Sequence, residues 1–162
     1  MSVGPRVVFV RFTSSASPKL VPWVSHAGRV VGNGSVSQNL NGPAESQERL
    51  IWQLVSANNR QLARGTDIYT SFDAARTHVD RVASSSEELL VELVSEAGRG
   101  VYGWYASLEG VPVMTCARWY LTDRDRRHSI NLATRCLPVA MLHDGARLSD
   151  PALMGGAGGS SG

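Results

Sequence analysis

The sequence predicts an α+β fold: two tandem β-β-β-α-β-type repeats sharing one pseudo-twofold antiparallel sheet, with two helices on one face. Three observations predict it. The middle of the 162-residue chain repeats itself at an offset of 51 residues. Its strand-like runs alternate apolar and polar residues, and each hairpin runs into a helix with a Ser or Thr at its start. A three-turn helix on a two-stranded hairpin buries too little surface to stand alone, whereas two such units can merge their strands and cover one face together.

Placing Tyr69 over Tyr120 without a gap sets Leu54 on Tyr105, Ser56 on Ser107, Leu62 on Val113, Ile68 on Trp119, Ser71 on Thr122, Arg76 on Arg127 and Val79 on Ile130. In the first copy Leu50 to Ser56 alternates as a strand, Ala57 to Arg60 supplies the turn, and Gln61 to Tyr69 returns. Ser71, or Thr70 with Asp73, then caps a helix with Phe72, Ala75, Val79 and Val82 on one face, ending at Ser84 to Ser86. Glu88 to Ser95 reads as a strand linking the halves. Val101 to Leu108 and Val111 to Tyr120 form a hairpin around Glu109-Gly110. Thr122 with Asp125 caps a helix from about Asp123 to Arg135, Pro138 stops it, and Val139 to Leu142 closes the sheet.

The flanks read differently. Residues 1–48 are a β/loop arm rich in Ser, Gly, Pro and Asn, with one strand at Val7 to Phe12. A hairpin is expected from Arg29-Val30-Val31 and Ser35-Val36-Ser37 around Gly32-Asn33-Gly34, and then a polar loop from Gln38 to Arg49. The first repeat takes 49–95 and the second 88–148, with 88–95 shared. Residues 149–162 form a Gly/Ser-rich tail expected to be flexible.

The run from Trp52 to Ala75 resembles the YegP-like family, small proteins catalogued as a domain of unknown function. Leu54, Asn58, Ile68, Tyr69, Ser71 and Ala75 carry the resemblance, and Tyr105, Glu109-Gly110, Tyr120 and Thr122 carry it more loosely. It covers roughly residues 50–142 and implies tandem or dimeric β-β-β-α-β units sharing one sheet. It implies no catalytic residue. Two departures stand out: Glu109 replaces the family's Asn, and each copy has about one extra residue between turn and Tyr, which a β-bulge would absorb.

Composition narrows the classes. With 43% hydrophobic and 19% charged residues the chain can build a core, and a net charge of +2 argues against a strongly basic nucleic-acid binder. No run approaches the roughly 18 apolar residues of a membrane span, and Met1 to Phe12 lacks a signal peptide's apolar region, so no membrane association and a cytoplasmic location are expected. Cys116 and Cys136 form no CxxC pair and are expected as separate reduced thiols. His26, His78, His128 and His143 show no metal-ligand spacing, and no Gly-x-Ser-x-Gly or phosphate loop is present, so no cofactor and no enzymatic activity are expected.

Two features suggest binding instead. Trp52, Tyr69, Tyr102, Trp104, Tyr105, Trp119 and Tyr120 concentrate on the sheet, where an uncovered face would display Trp104 and Trp119, unless the N-terminal arm with Phe9, Phe12 and Trp23 folds over it. Residues 118–135 carry five arginines (Arg118, Arg124, Arg126, Arg127, Arg135) against Asp123 and Asp125, with Arg124, His128, Asn131 and Arg135 along one ridge. Arg126 falls over core-facing Ala75, so its stem must run along the sheet or its guanidinium must find a carboxylate. The expected function is a non-enzymatic interaction domain with a protein partner, in a monomer that is its own internal dimer. The alternative is a nucleic-acid or ribosome-associated module using Arg118, Arg124, Arg127, His128, Arg135, Trp104 and Trp119.

Overall fold

Alternation along a strand sends neighbouring side chains to opposite faces, and it sorts this protein into two layers of helix around one sheet. The computed structural model describes residues 4–12, 20–31, 49–96 and 98–148. Their elements are β1 (Arg6–Phe12), α1 (Leu20–Val31), β2 (Arg49–Val55), β3 (Gln61–Gly65), α2 (Phe72–Ser84), β4 (Leu90–Glu96), β5 (Val101–Leu108), β6 (Val111–Cys116), α3 (Asp123–Cys136) and β7 (Met141–Leu148). On β2, Trp52 points to α2 and hydrogen-bonds His78, while Ile51 points the other way and packs with Trp23 of α1.

The seven described strands form one sheet in the order β4-β5-β6-β3-β2-β1-β7. Every pairing is antiparallel except β1 with β7, so the sheet is mixed where an antiparallel one is expected. The main core lies under α2 and α3 and includes Phe9, Leu50, Trp52, Leu54, Val79, Trp104, Met114 and Leu137. No described helix is long and apolar enough to cross a membrane.

Both hairpins lead into capped helices. Ser71 Oγ accepts from the Ala74 N–H at 3.1 Å, and Thr122 Oγ1 accepts from the Asp125 N–H at 3.0 Å. The expected bulges are present on the returning strands. Leu54 faces Ala63 while Val55 faces Gln61, leaving Leu62 extra, and Ala106 faces Met114 while Ser107 faces Pro112, leaving Val113 extra. The ungapped alignment is corrected by one residue on the first strand of each hairpin. Gln53 opposite Arg64 matches Tyr105 opposite Thr115, so Trp52 corresponds to Trp104. The cause is the turn: Ser56 and Arg60 bond across three residues with Asn59 at φ 70°, while Glu109 and Gly110, at φ 53° and 82°, make a two-residue turn.

Three further expectations change. Arg29 to Val31 end helix α1 instead of starting a hairpin, and Trp23, Ala27 and Val30, spaced by four and three, form its buried side. A third helix therefore lies on the face opposite α2 and α3. The strand near 88–95 does not join the halves: β4 is an edge strand paired with β5, and the halves meet where β3 pairs with β6. The returning strands also stop early, Tyr69 and Tyr120 sitting beyond them in isolated bridges to Leu50 and Tyr102. Ser35 to Ser37, the rest of the loop at 38–48, and the tail at 149–162 lie outside the described residues.

Candidate functional site

A cleft of about 180 Å³ opens between the start of β3, the segment after β6, and α3. Arg60, Gln61 and Leu62 form one wall, Arg118 and Tyr120 another, and Asp125, His128, Ser129 and Leu132 of α3 the third. The β3–β6 pairing brings the Asn59–Arg60 turn beside the helix, joining residues far apart in sequence.

The floor is a hydrogen-bonded chain. The Trp104 indole N–H donates to Ser129 Oγ at 3.0 Å, and the Tyr120 hydroxyl donates to the same oxygen at 2.8 Å. Burial pushes the Tyr120 phenol above its ordinary pKa. The Arg118 guanidinium stands 5.5 Å from the centre of the Tyr120 ring, which fixes a flexible cation at the cleft wall. Beside this cleft, Thr122, Arg124, Asp125 and His128 line a shallower depression.

Charge is distributed unevenly over α3. Asp123 takes Arg126 and Arg127, its Oδ1 accepting from Arg126 Nε at 2.9 Å and its Oδ2 from Arg127 Nε at 2.7 Å. Hydrogen bonds from Arg127 and then Arg126 hold the Asp123 carboxyl below its usual pKa. Among the described residues no carboxylate lies within ion-pair distance of Arg60, Arg118, Arg124 or Arg135. The expected ridge of Arg124, His128, Asn131 and Arg135 is exposed along its length.

The candidate residues therefore divide. Arg118, Arg124 and His128 come together at the cleft and its neighbour. Arg127 is bound to Asp123, and Arg135 sits at the far end of the ridge. Trp104 is fully buried, which corrects its expected display on an open face: its strand turns it toward α3. Trp119 is half-covered by α1, with His26 edge-on to its ring and Arg29 5.2 Å above it. Arg126 is buried, with Nη1 donating to Val94 O at 3.0 Å and its guanidinium 5.1 Å from the Tyr102 ring. Arg60, Tyr120 and Ser129 escaped the sequence reading as cleft residues, and the Asn-Asn-Arg turn was the one signal for them.

The first half holds a related trio. Trp52 donates to His78 Nδ1 at 3.3 Å, and the Tyr69 ring lies 5.1 Å from the His78 ring. Burial lowers the His78 pKa, partly offset by Asp67. His26 is lowered likewise by burial, and its Nε2 hydrogen-bonds Cys116 O at 2.9 Å. Cys116 is buried and Cys136 half-buried, both as free thiols. No cluster of metal-ligating side chains occurs among the described residues, and the His143 side chain lies outside them.

No family model matches the sequence, and no curated protein matches it. The chain is similar to YegP, a protein of unknown function from E. coli solved by solution NMR, at 18% identity over 62% of this chain and 84% of that one, with a TM-score of 0.48.

Proposed function

We propose that the protein is a non-enzymatic interaction domain that seats an acidic segment of a protein partner in the cleft and along the α3 ridge. One observation carries this reading: Arg60, Arg118 and His128 converge on one cleft and continue into exposed Arg124 and Arg135, and among the described residues no carboxylate lies within ion-pair distance of the four arginines. Arginine clusters of this kind pair with anionic motifs through forked, charge-assisted hydrogen bonds. The cleft is smaller than the ~300–1,000 Å³ of sites that engulf a metabolite, which favours a docking role. Ser129 Oγ accepts from Trp104 and Tyr120, and among the described residues no histidine or carboxylate is hydrogen-bonded to it, which favours binding over acyl transfer.

A nucleic-acid partner is a second reading, favoured by the exposed ridge of cations. The aromatics that would stack bases are placed against it, since Trp104 is buried and Trp119 lies under α1. Capture of partners from the protein's own cells decides between them, using wild type and an Arg118→Glu/Arg124→Glu variant, with and without nuclease. A protein recovered by wild type, lost with the charge-reversed variant and insensitive to nuclease is expected. Recovery that charge reversal leaves intact, or that nuclease abolishes, overturns the proposal.

We further read the chain as a duplicated unit acting as a monomer in the cytoplasm. Matching caps at Ser71 and Thr122, matching bulges at Leu62 and Val113, and the Trp52–His78 and Trp104–Ser129 pairs support the duplication. Free thiols at Cys116 and Cys136 fit a reducing compartment.

A further inference from the structure

The floor of the cleft has one hydrogen-bond donor too many. Ser129 and Tyr120 are 6% and 8% exposed, and between them they carry two hydroxyl hydrogens. The indole of Trp104 donates only, so it occupies an acceptor site on Ser129 Oγ. One hydroxyl hydrogen lies in the Tyr120–Ser129 bond. The other has no acceptor among the described residues, and both hydroxyls border the cleft. That hydrogen borders the cleft, where an acceptor from outside can meet it.

The walls ask for the same thing. Arg60 and Arg118 line it as exposed arginines, and the Arg118 guanidinium is steadied over the Tyr120 ring. The volume of about 180 Å³ equals roughly six waters at ~30 Å³ each, room for one compact group on a stem. Asp125 is the one acid among the described residues that line the cleft. It sits exposed beside His128 on the α3 side.

Resting on the reading of the cleft as a protein-docking site, we propose that it recognises a single phosphorylated side chain, a phosphomonoester, on the partner. Three terminal oxygens of a monoester answer donors arriving from Arg60, from Arg118 and from the surplus hydroxyl. A phosphodiester offers only two free oxygens and leaves one of these donors unanswered.

The test uses the full chain and follows the Trp104 indole N–H signal by NMR. The probes are a phosphoserine tripeptide with blocked ends, inorganic phosphate, the unphosphorylated tripeptide, and dimethyl phosphate, all at matched ionic strength. The phosphopeptide is expected to move the signal saturably and to bind more tightly than inorganic phosphate. Dimethyl phosphate and the unphosphorylated peptide are expected at least about tenfold weaker, the loss of one charge-assisted hydrogen bond. Arg60→Gln, on an exposed turn, and Ser129→Ala should each weaken the phosphopeptide about tenfold.

Absence of a saturable shift overturns the proposal, as does Arg60→Gln binding like wild type. Equal binding of inorganic phosphate would make the site one for free phosphate, and equal binding of dimethyl phosphate one for nucleic acid; either result sinks it. The broader reading fails separately. A partner still captured from phosphatase-treated extract would leave protein docking intact and remove the phosphoryl group from it.

Discussion

Arg126 occupies a position that an apolar residue fills in the first hairpin–helix unit, and its surroundings explain how. The stem is covered, the guanidinium lies against Tyr102, Nη1 satisfies the Val94 carbonyl, and the remaining donors reach Asp123. Removing the side chain uncovers Tyr102 and takes a charged donor from that carbonyl. Arg126→Ala is therefore expected to cost about 1–3 kcal/mol, from a lost charge-assisted bond and lost packing. A thermal melt checks this: an unchanged Tm would show the side chain to be idle. At this scale the sequence was informative where a residue's place follows from periodicity, as for Arg126, Ala75 and Val79. It misled for Trp104, because alternation separates the two faces of a strand without saying which of them the helices cover.

At the scale of elements, hairpins and capped helices were legible because each has local chemistry: alternation, turn residues, and a hydroxyl at the helix start. Helix α1 was not. Its Val30-Val31 pair and the following Gly-Asn-Gly mimic a hairpin, and only the spacing of Trp23, Ala27 and Val30 marks the helix. The pairing of β3 with β6 is non-local, so nothing in either strand announces the cleft it creates. Gly65 in β3 shows how closely this layer is packed. A Cβ there would overlap the five-membered ring of the Trp52 indole, a fully buried side chain that cannot step aside. Gly65→Ala is expected to destabilise by about 1–3 kcal/mol through overpacking. Chemical denaturation would show it as a lower midpoint with an unchanged slope; an unshifted midpoint would contradict the packing described here.

For the whole molecule, buried titratable groups on both faces of the sheet set the pH range of greatest stability. His26 and His78 titrate below 6.5 in the fold because burial disfavours their charged forms, so below pH 6.5 the unfolded chain binds more protons and stability falls. Asp123, with its lowered pKa, adds a further loss in stronger acid. Cys116 acts at the other end. Burial pushes its thiol up to about 11 from 9.0, so above pH 9 the unfolded chain sheds its proton first and stability falls again. Calorimetry at pH 5, 7.5 and 10 should give the highest Tm at 7.5, and a Tm that rises from 7.5 to 5 would refute the assignment of neutral buried histidines.

The parallel pairing of β1 with β7 also has a consequence during synthesis. The ribosome releases β1 early, yet its neighbour β7 begins at Met141, more than a hundred residues later. At roughly 5–20 residues per second, one flank of Val7, Val8 and Phe9 waits several seconds for its partner strand. In the nascent chain that flank is the natural foothold for a chaperone, and the place where two half-made chains would stick together.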